Sequence, residues 1–247
     1  MRRLPYLVLL ASISWLATAC SSEQSNPLEP SPGPNPNQPE PATGDRSIDF
    51  DKFGGGDTIT SVDEVRISLP VRGLRCADAL IAFDSSVPRG AGEDDLDLGT
   101  PNETFGGPGV GAGGERGQPF QNDRPLGNLL IIQENPAHPD GFPDPQDDCQ
   151  DGGTVAFDFS SSSAGGVVLT AITVVDVDDE ELSGGTTFRL FGPGRELLAV
   201  LHPPVTGQNG VASMSLGPTS GVVSLEIEMV KSVALDRIDF TVPEDTN

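Results

Sequence analysis

Positive charge is scarce in this chain of 247 residues: 14 Lys and Arg stand against 37 Asp and Glu, for a formal net charge of −23. So acidic a protein cannot hold nucleic acid or an anionic lipid surface by general electrostatics. Aromatic residues are few, at 5%, and the one Trp and one Tyr are Trp15 and Tyr6, both close to the N-terminus. Any aromatic platform for a sugar ring must therefore come from Phe, with Phe105, Phe120 and Phe142 as loop candidates. Only two His occur. His138 sits in Pro136-Ala137-His138-Pro139 and His202 precedes Pro203-Pro204. Neither accompanies a Gly-x-Ser-x-Gly elbow, so both read as loop residues rather than catalytic bases. Phosphate-cradling Gly-x-x-x-x-Gly-Lys and zinc-binding His-Glu-x-x-His are also missing. Helical spacing of apolar residues is not found in any run. What is abundant is Gly (30) and Pro (23), while hydrophobic residues make up only 36%. That composition excludes a helix-rich core and fits a β-domain with long irregular loops and a disordered segment.

The N-terminus reads as an address. Arg2 and Arg3 precede a mainly apolar stretch from Leu4 to Ala17. It is too short to span a bilayer comfortably and has the form of a signal-peptide core. It ends in Leu16-Ala17-Thr18-Ala19-Cys20. Small residues before a Cys resemble the lipobox of bacterial lipoproteins. That resemblance implies cleavage before Cys20 and acylation of its thiol and new amine. Ser21 and Ser22 follow without the Asp that retains many such proteins in the inner membrane, which implies an outer-membrane or cell-surface destination in the cell envelope.

Beyond Cys20 the segment to Asp45 is rich in Ser, Asn, Glu and Pro, with Pro27, Pro30, Pro32, Pro34, Pro36, Pro39 and Pro41. It has too few apolar residues to fold and reads as an extended spacer reaching roughly 75 Å at ~3.1 Å per residue. The organisation expected is a signal peptide over 1–19, a lipidated Cys and linker over 20–46, a β-domain over 47–242 and a tail over 243–247.

Within the domain, short β-branched and apolar runs recur between turn clusters. They predict strands near Ser47–Phe50, Glu64–Leu69, Asp78–Asp84, Asn128–Gln133, Thr154–Phe159, Val167–Val175, Thr186–Phe191, Glu196–Leu201, Val211–Leu216, Val222–Met229 and Leu235–Val242. Several alternate, as in Leu225-Glu226-Ile227-Glu228-Met229, where the acids face water. Half-buried antiparallel strands have this pattern. So many short strands predict an all-β antiparallel β-sandwich or jelly roll. The long polar segments from Ser85 to Gly127 and from Glu134 to Gly153 interrupt it, and loops of that length are functional or disordered.

With Cys20 reserved for lipid, Cys76 and Cys149 are left. An oxidising compartment predicts a disulfide between them, the alternative being two free buried thiols. Acid clusters are the strongest chemical signal. Asp84 closes a strand, with Glu93, Asp94, Asp95 and Asp97 just beyond it. Asp176 and Asp178 follow another strand, and Asp144, Asp147, Asp148 and Asp151 crowd the second long loop. Like charges this close repel unless screened, and hard oxygen ligands on loops suit Ca²⁺. Asp95-x-Asp97 and Asp176-x-Asp178 have part of an EF-hand spacing, but neither continues with the required Gly and distal Glu. The alternative is a solvated acidic surface.

Several stretches together carry a family resemblance: Ile48-Asp49-Phe50-Asp51, Ala82-Phe83-Asp84-Ser85-Ser86-Val87-Pro88, Asp94-Asp95-Leu96-Asp97-Leu98-Gly99, Asn128-Leu129-Leu130-Ile131-Ile132, Gly153-Thr154-Val155-Ala156-Phe157-Asp158-Phe159 and Ala234-Leu235-Asp236-Arg237-Ile238-Asp239-Phe240. The series resembles the extracellular β-sandwich domains of bacterial surface proteins with varied anchors, PEP-CTERM tails among them. The last strand is also similar to that of galactose-binding-like jelly rolls, some of which hold Ca²⁺ between an acid on the first strand and one on the last. That similarity implies Asp49 and Asp239 as a pair. The function expected is a non-catalytic, lipid-anchored surface protein with an adhesive or structural role, stabilised by Ca²⁺. Its partners would be the membrane, through the lipid, and a glycan or envelope protein, with no nucleic acid. The alternatives are a carbohydrate-binding module and a glycan hydrolase using a carboxylate pair.

Overall fold

A computed structural model describes residues 44–88, 95–135, 137, 147–163, 165–177 and 185–243. All belong to the unit Pro41–Asn247; the other unit, Met1–Glu40, lies outside the described residues, and with it Cys20 and most of the Pro-rich spacer. Among the described residues the apolar runs form twelve strands: β1 (Asp45–Ile48), β2 (Ser61–Val62), β3 (Val65–Arg72), β4 (Cys76–Asp84), β5 (Asn128–Glu134), β6 (Gly153–Asp158), β7 (Val167–Val175), β8 (Thr187–Phe191), β9 (Leu197–Leu201), β10 (Val211–Val222), β11 (Ser224–Met229) and β12 (Ala234–Thr241). They build two antiparallel sheets packed as a β-sandwich. One has the order β10-β7-β12-β5-β4, with β1 also paired to β12; the other has the order β2-β3-β6-β11-β8-β9.

Alternation decides which side chains enter the space between the sheets. In β11, Leu225, Ile227 and Met229 are buried while Glu226 and Glu228 face outward against Arg195 and Arg189. Phe50, Phe157, Phe159, Phe188, Leu235 and Phe240 join the same core. Phe159 meets Phe240 edge-on, with ring centroids 5.3 Å apart. β12 organises its sheet. One edge pairs with β7, and the other is shared by β5, at Leu130, and by β1, whose Ile48 lies across from Ile238.

Every expected strand is present, most with ends displaced by only a few residues. β2 has two residues, too few to show a period. β10 runs past its expected end at Leu216. Gly217 (φ +61°) and Gly221 (φ +74°) take left-handed conformations where its register against β7 shifts, so the chain bulges and continues.

β4 and β5 correct the half-buried expectation. Leu80, Ala82, Leu130 and Ile132 face the main core, whereas Ile81, Phe83, Leu129 and Ile131 are buried on the opposite face with Leu98, Val175 and Ala234. What covers that second face is the long segment after β4. Over 95–126 it folds back as a cap with three single 3₁₀ turns, Leu96–Leu98, Glu103–Phe105 and Ala112–Gly114. Its glycines let backbone lie on backbone: a Cβ on Gly109 would collide with the Gly99 carbonyl, and one on Gly107 with the Pro101 carbonyl.

Cys76 and Cys149 form a disulfide with Cα atoms 5.3 Å apart. It ties the start of β4 to residues 147–149, which run beside the end of β5. There Glu134 N donates to the Asp147 carbonyl at 2.8 Å and Cys149 N to the Ile132 carbonyl at 2.9 Å. Arg75 reinforces the link by bonding Asp151 through Nε (2.9 Å) and NH2 (2.6 Å).

Candidate functional site

Three segments remote in sequence meet where β7 ends and β12 begins. Asp95 precedes the first turn of the cap and Asp97 lies within it, Asp148 precedes the disulfide, and Asp176 follows β7. A chain leaving β7 must turn sharply, and Asp176 does so at φ +65°, a left-handed conformation that Asp and Asn tolerate better than most residues.

Asn209, also left-handed at φ +63°, binds these segments together. Its backbone N donates to Asp176 Oδ1 at 2.7 Å. Its Nδ2 donates to the carbonyls of Asp97 (2.8 Å) and Gly99 (2.7 Å). Its Oδ1 accepts from Asn102 Nδ2 (2.8 Å) and Asn122 Nδ2 (3.2 Å). Asn209 and Asn102 are fully buried and Asn122 nearly so. This amide cluster joins the cap to the loop before β10.

Asp148 is the most unusual group. Only 4% of it is exposed, and its Oδ2 has no hydrogen-bond partner. Burial first, then the Asp95 charge, hold its carboxyl well above the usual carboxylate range; a hydrogen bond with Ser232 opposes them, and Asp97 and Asp176 add to the rise. Its backbone N donates to Asp95 Oδ2 at 3.2 Å. Among the described residues no three His, Cys, Asp or Glu side chains converge as a ready-made metal cage. The group does offer carboxylate and carbonyl oxygens of the hard type that Ca²⁺ takes.

Of the acids the sequence marks, Asp95, Asp97 and Asp176 come together around Asp148, while Asp94 and Asp178 lie outside the described residues. Asp84 instead accepts from Ser86 N (3.0 Å) and Ser86 Oγ (2.6 Å) in a local turn. β1 and β12 do lie side by side, with Asp239 across from Ser47. Asp239 is taken up by Arg237 Nε at 2.6 Å, and Asp49, beyond the end of β1, contributes with Asp51 to the field around Asp236. Asp148 appears in the sequence as one acid among several. Asn209 carries a usable signal, because Asn-Gly marks a position that accepts positive φ.

A second feature is a groove of about 580 Å³ beside β1, lined by Asp45, Arg46, Ser47, Thr170, Arg237, Asp239 and Phe240. It adjoins a smaller one of about 310 Å³ between β1 and the β2–β3 turn, where Arg46 pairs with Glu64. Of the Phe candidates, Phe105 stacks under Arg116, whose guanidinium carbon is 4.3 Å from the ring centroid. Phe120 packs on the core, and Phe142 lies outside the described residues. His202 is exposed just past β9, with Nδ1 3.3 Å from the Thr186 carbonyl, and His138 lies outside the described residues.

No protein-family model matches the chain, and no curated protein does. Among solved structures it is similar to a Streptococcus pneumoniae fucose binding module, at 14% identity and a TM-score of 0.27, over 39% of this chain and 68% of that one.

Proposed function

We propose that the chain is a non-catalytic binding module displayed outside the cytoplasm, with an adhesive or structural role in the cell envelope. In this reading a lipid on Cys20 anchors it, the Pro-rich spacer lifts it from the membrane, and the sandwich presents its polar groove. The groove is the observation that carries the reading. It lies beside β1, the strand that follows the spacer, and offers Arg46, Arg237 and Asp239 with the Ser47 and Thr170 hydroxyls. Charged side chains and hydroxyls converging on one concave surface recognise a polar ligand by hydrogen bonds.

A carbohydrate-binding module is the second reading, favoured by the same mixture of donors and acceptors. A glycan hydrolase needs two carboxylates that flank a scissile bond. Asp148 and Asp176 are both buried, and Asp239 already accepts from Arg237, so these acids suit structure better than hydrolysis. The test is surface plasmon resonance of the detergent-solubilised full chain against a glycan panel, with Arg237→Ala beside it. Saturable binding that weakens about tenfold in the variant is expected, since a charged hydrogen bond is worth ~1.5–3 kcal/mol. Binding unchanged by Arg237→Ala, or release of shorter sugars, contradicts the reading.

A further inference from the structure

We propose that the outer face of β10, β7, β12 and β1 binds a neutral, linear polysaccharide laid across the strands, several sugar rings at a time. The inference rests on the ligand-binding reading of the groove and names its ligand class. It also extends the site beyond the groove, along β7 to β10. Register aligns Ser215, Ala171, Asp239 and Ser47 as one row across the four strands. Their neighbours Leu216, Ile172, Ile238, Phe240 and Ile48 belong to the core, so the row faces outward. Ser215 is exposed, and Ala171, Asp239 and Ser47 are half-buried. The row's side chains are short. Arg237 stands beside it on one side, and Thr241, whose Oγ1 donates to Asp45 Oδ1 at 2.6 Å, stands on the other. Short side chains between taller neighbours make a trough that runs across the strands, and the groove of about 580 Å³ is its β1 end. From β10 to β1 the row crosses three inter-strand spacings, about 14 Å.

Charge selects a neutral ligand. In the groove Arg46 and Arg237 balance Asp45 and Asp239, while the chain as a whole, at −23, repels polyanions. Arg237 Nε donates to Asp239 Oδ1 at 2.6 Å, a bond that uses one carboxylate oxygen and one guanidinium nitrogen. The pair keeps a second acceptor and further donors for two adjacent hydroxyls of a sugar ring. Ser215 and Ser47 place a hydroxyl at each end of the row. Phe240, the aromatic residue of the groove, is 4% exposed and packed in the core, so contact is by hydrogen bonds rather than by stacking on a ring. Each such bond is worth little net of water, so affinity requires several rings on the row at once. Peptides dock on apolar pockets or open strand edges. Hydroxyls, a methyl group and one ion pair suit a hydroxylated polymer better.

The test is calorimetric titration of the full chain, in a sugar-free detergent, with cello-, xylo- and malto-oligosaccharides from the monosaccharide to the hexasaccharide. Affinity for at least one series is expected to rise about fivefold per added ring, the worth of one net hydrogen bond. It is expected to level off at the tri- or tetrasaccharide and to be insensitive to added NaCl. Ala171→Leu, which fills the floor of the row, is expected to weaken tetrasaccharide binding at least about fivefold, through loss of one or more such bonds. Ser215→Leu is expected to remove the gain from the last ring and leave disaccharide affinity unchanged. Ser215 is exposed, so its variant remains informative if Ala171→Leu fails to fold. Saturable glycan binding that falls in Arg237→Ala but is indifferent to chain length, or to both folded row variants, overturns this inference and leaves the groove reading standing. A preference for polygalacturonate or poly-lysine that salt abolishes also overturns it. No binding of any glycan overturns both.

Discussion

Single buried polar residues carry much of this architecture. Asn209 makes five hydrogen bonds through its backbone N and its amide, and its replacement by Ala would leave the Asp97 carbonyl and the Asn102 and Asn122 amides short of partners. A loss of about 3 kcal/mol is expected by urea unfolding, since an unmet buried polar group costs ~1–3 kcal/mol. Asp236 has the opposite character. Burial pushes its pKa to about 6 from 3.8; Arg124 and Arg237 oppose the rise, and Asp51 and Asp49 add to it. The native state thus keeps this proton more tightly than the unfolded chain. Stability contributed by the protonated form is present below pH 3.8 and is lost as pH rises to about 6. Unfolding curves for Asp236→Asn are therefore expected to show a gain over the unvaried chain above pH 6 that shrinks towards pH 4.

At the level of elements, the cap depends on Leu98, fully buried with Ile81, Phe83, Leu129 and Ile131 on the outer face of β4 and β5. Leu98→Ala is expected to cost about 2–5 kcal/mol. Hydrogen exchange should show the lost protection first in the cap and in β5, rather than in β11. The strands themselves were legible because alternation such as Leu225-Glu226-Ile227 admits one reading. The cap was not. Its composition is that of a disordered loop, and its order comes from glycine-mediated backbone contact and the Asn102, Asn122 and Asn209 amides, all non-local. The unbroken run Leu129-Leu130-Ile131-Ile132 was the available clue, since a strand with no polar face requires a cover on both sides. The acids were visible as clusters, but which of them meet depends on register and loop closure. Asp148, one of four acids in the second long loop by sequence, is singled out by its burial in the fold, while Asp84 is taken up in a local turn.

At the scale of the molecule, the disulfide closes a loop of 73 residues in sequence separation. Reduction, or paired Cys76→Ala and Cys149→Ala substitution, is expected to lower stability by about 4 kcal/mol on the chain-entropy argument. The proposed display of the sandwich outside the cytoplasm would account together for the oxidised bridge, the spacer and the exposed groove. Metabolic labelling with an alkynyl fatty acid, followed by membrane fractionation of the unvaried chain and of Cys20→Ser, examines that display. Label in a membrane-bound protein, lost along with membrane retention in Cys20→Ser, is the predicted result; an unlabelled protein in the soluble cell fraction would contradict it.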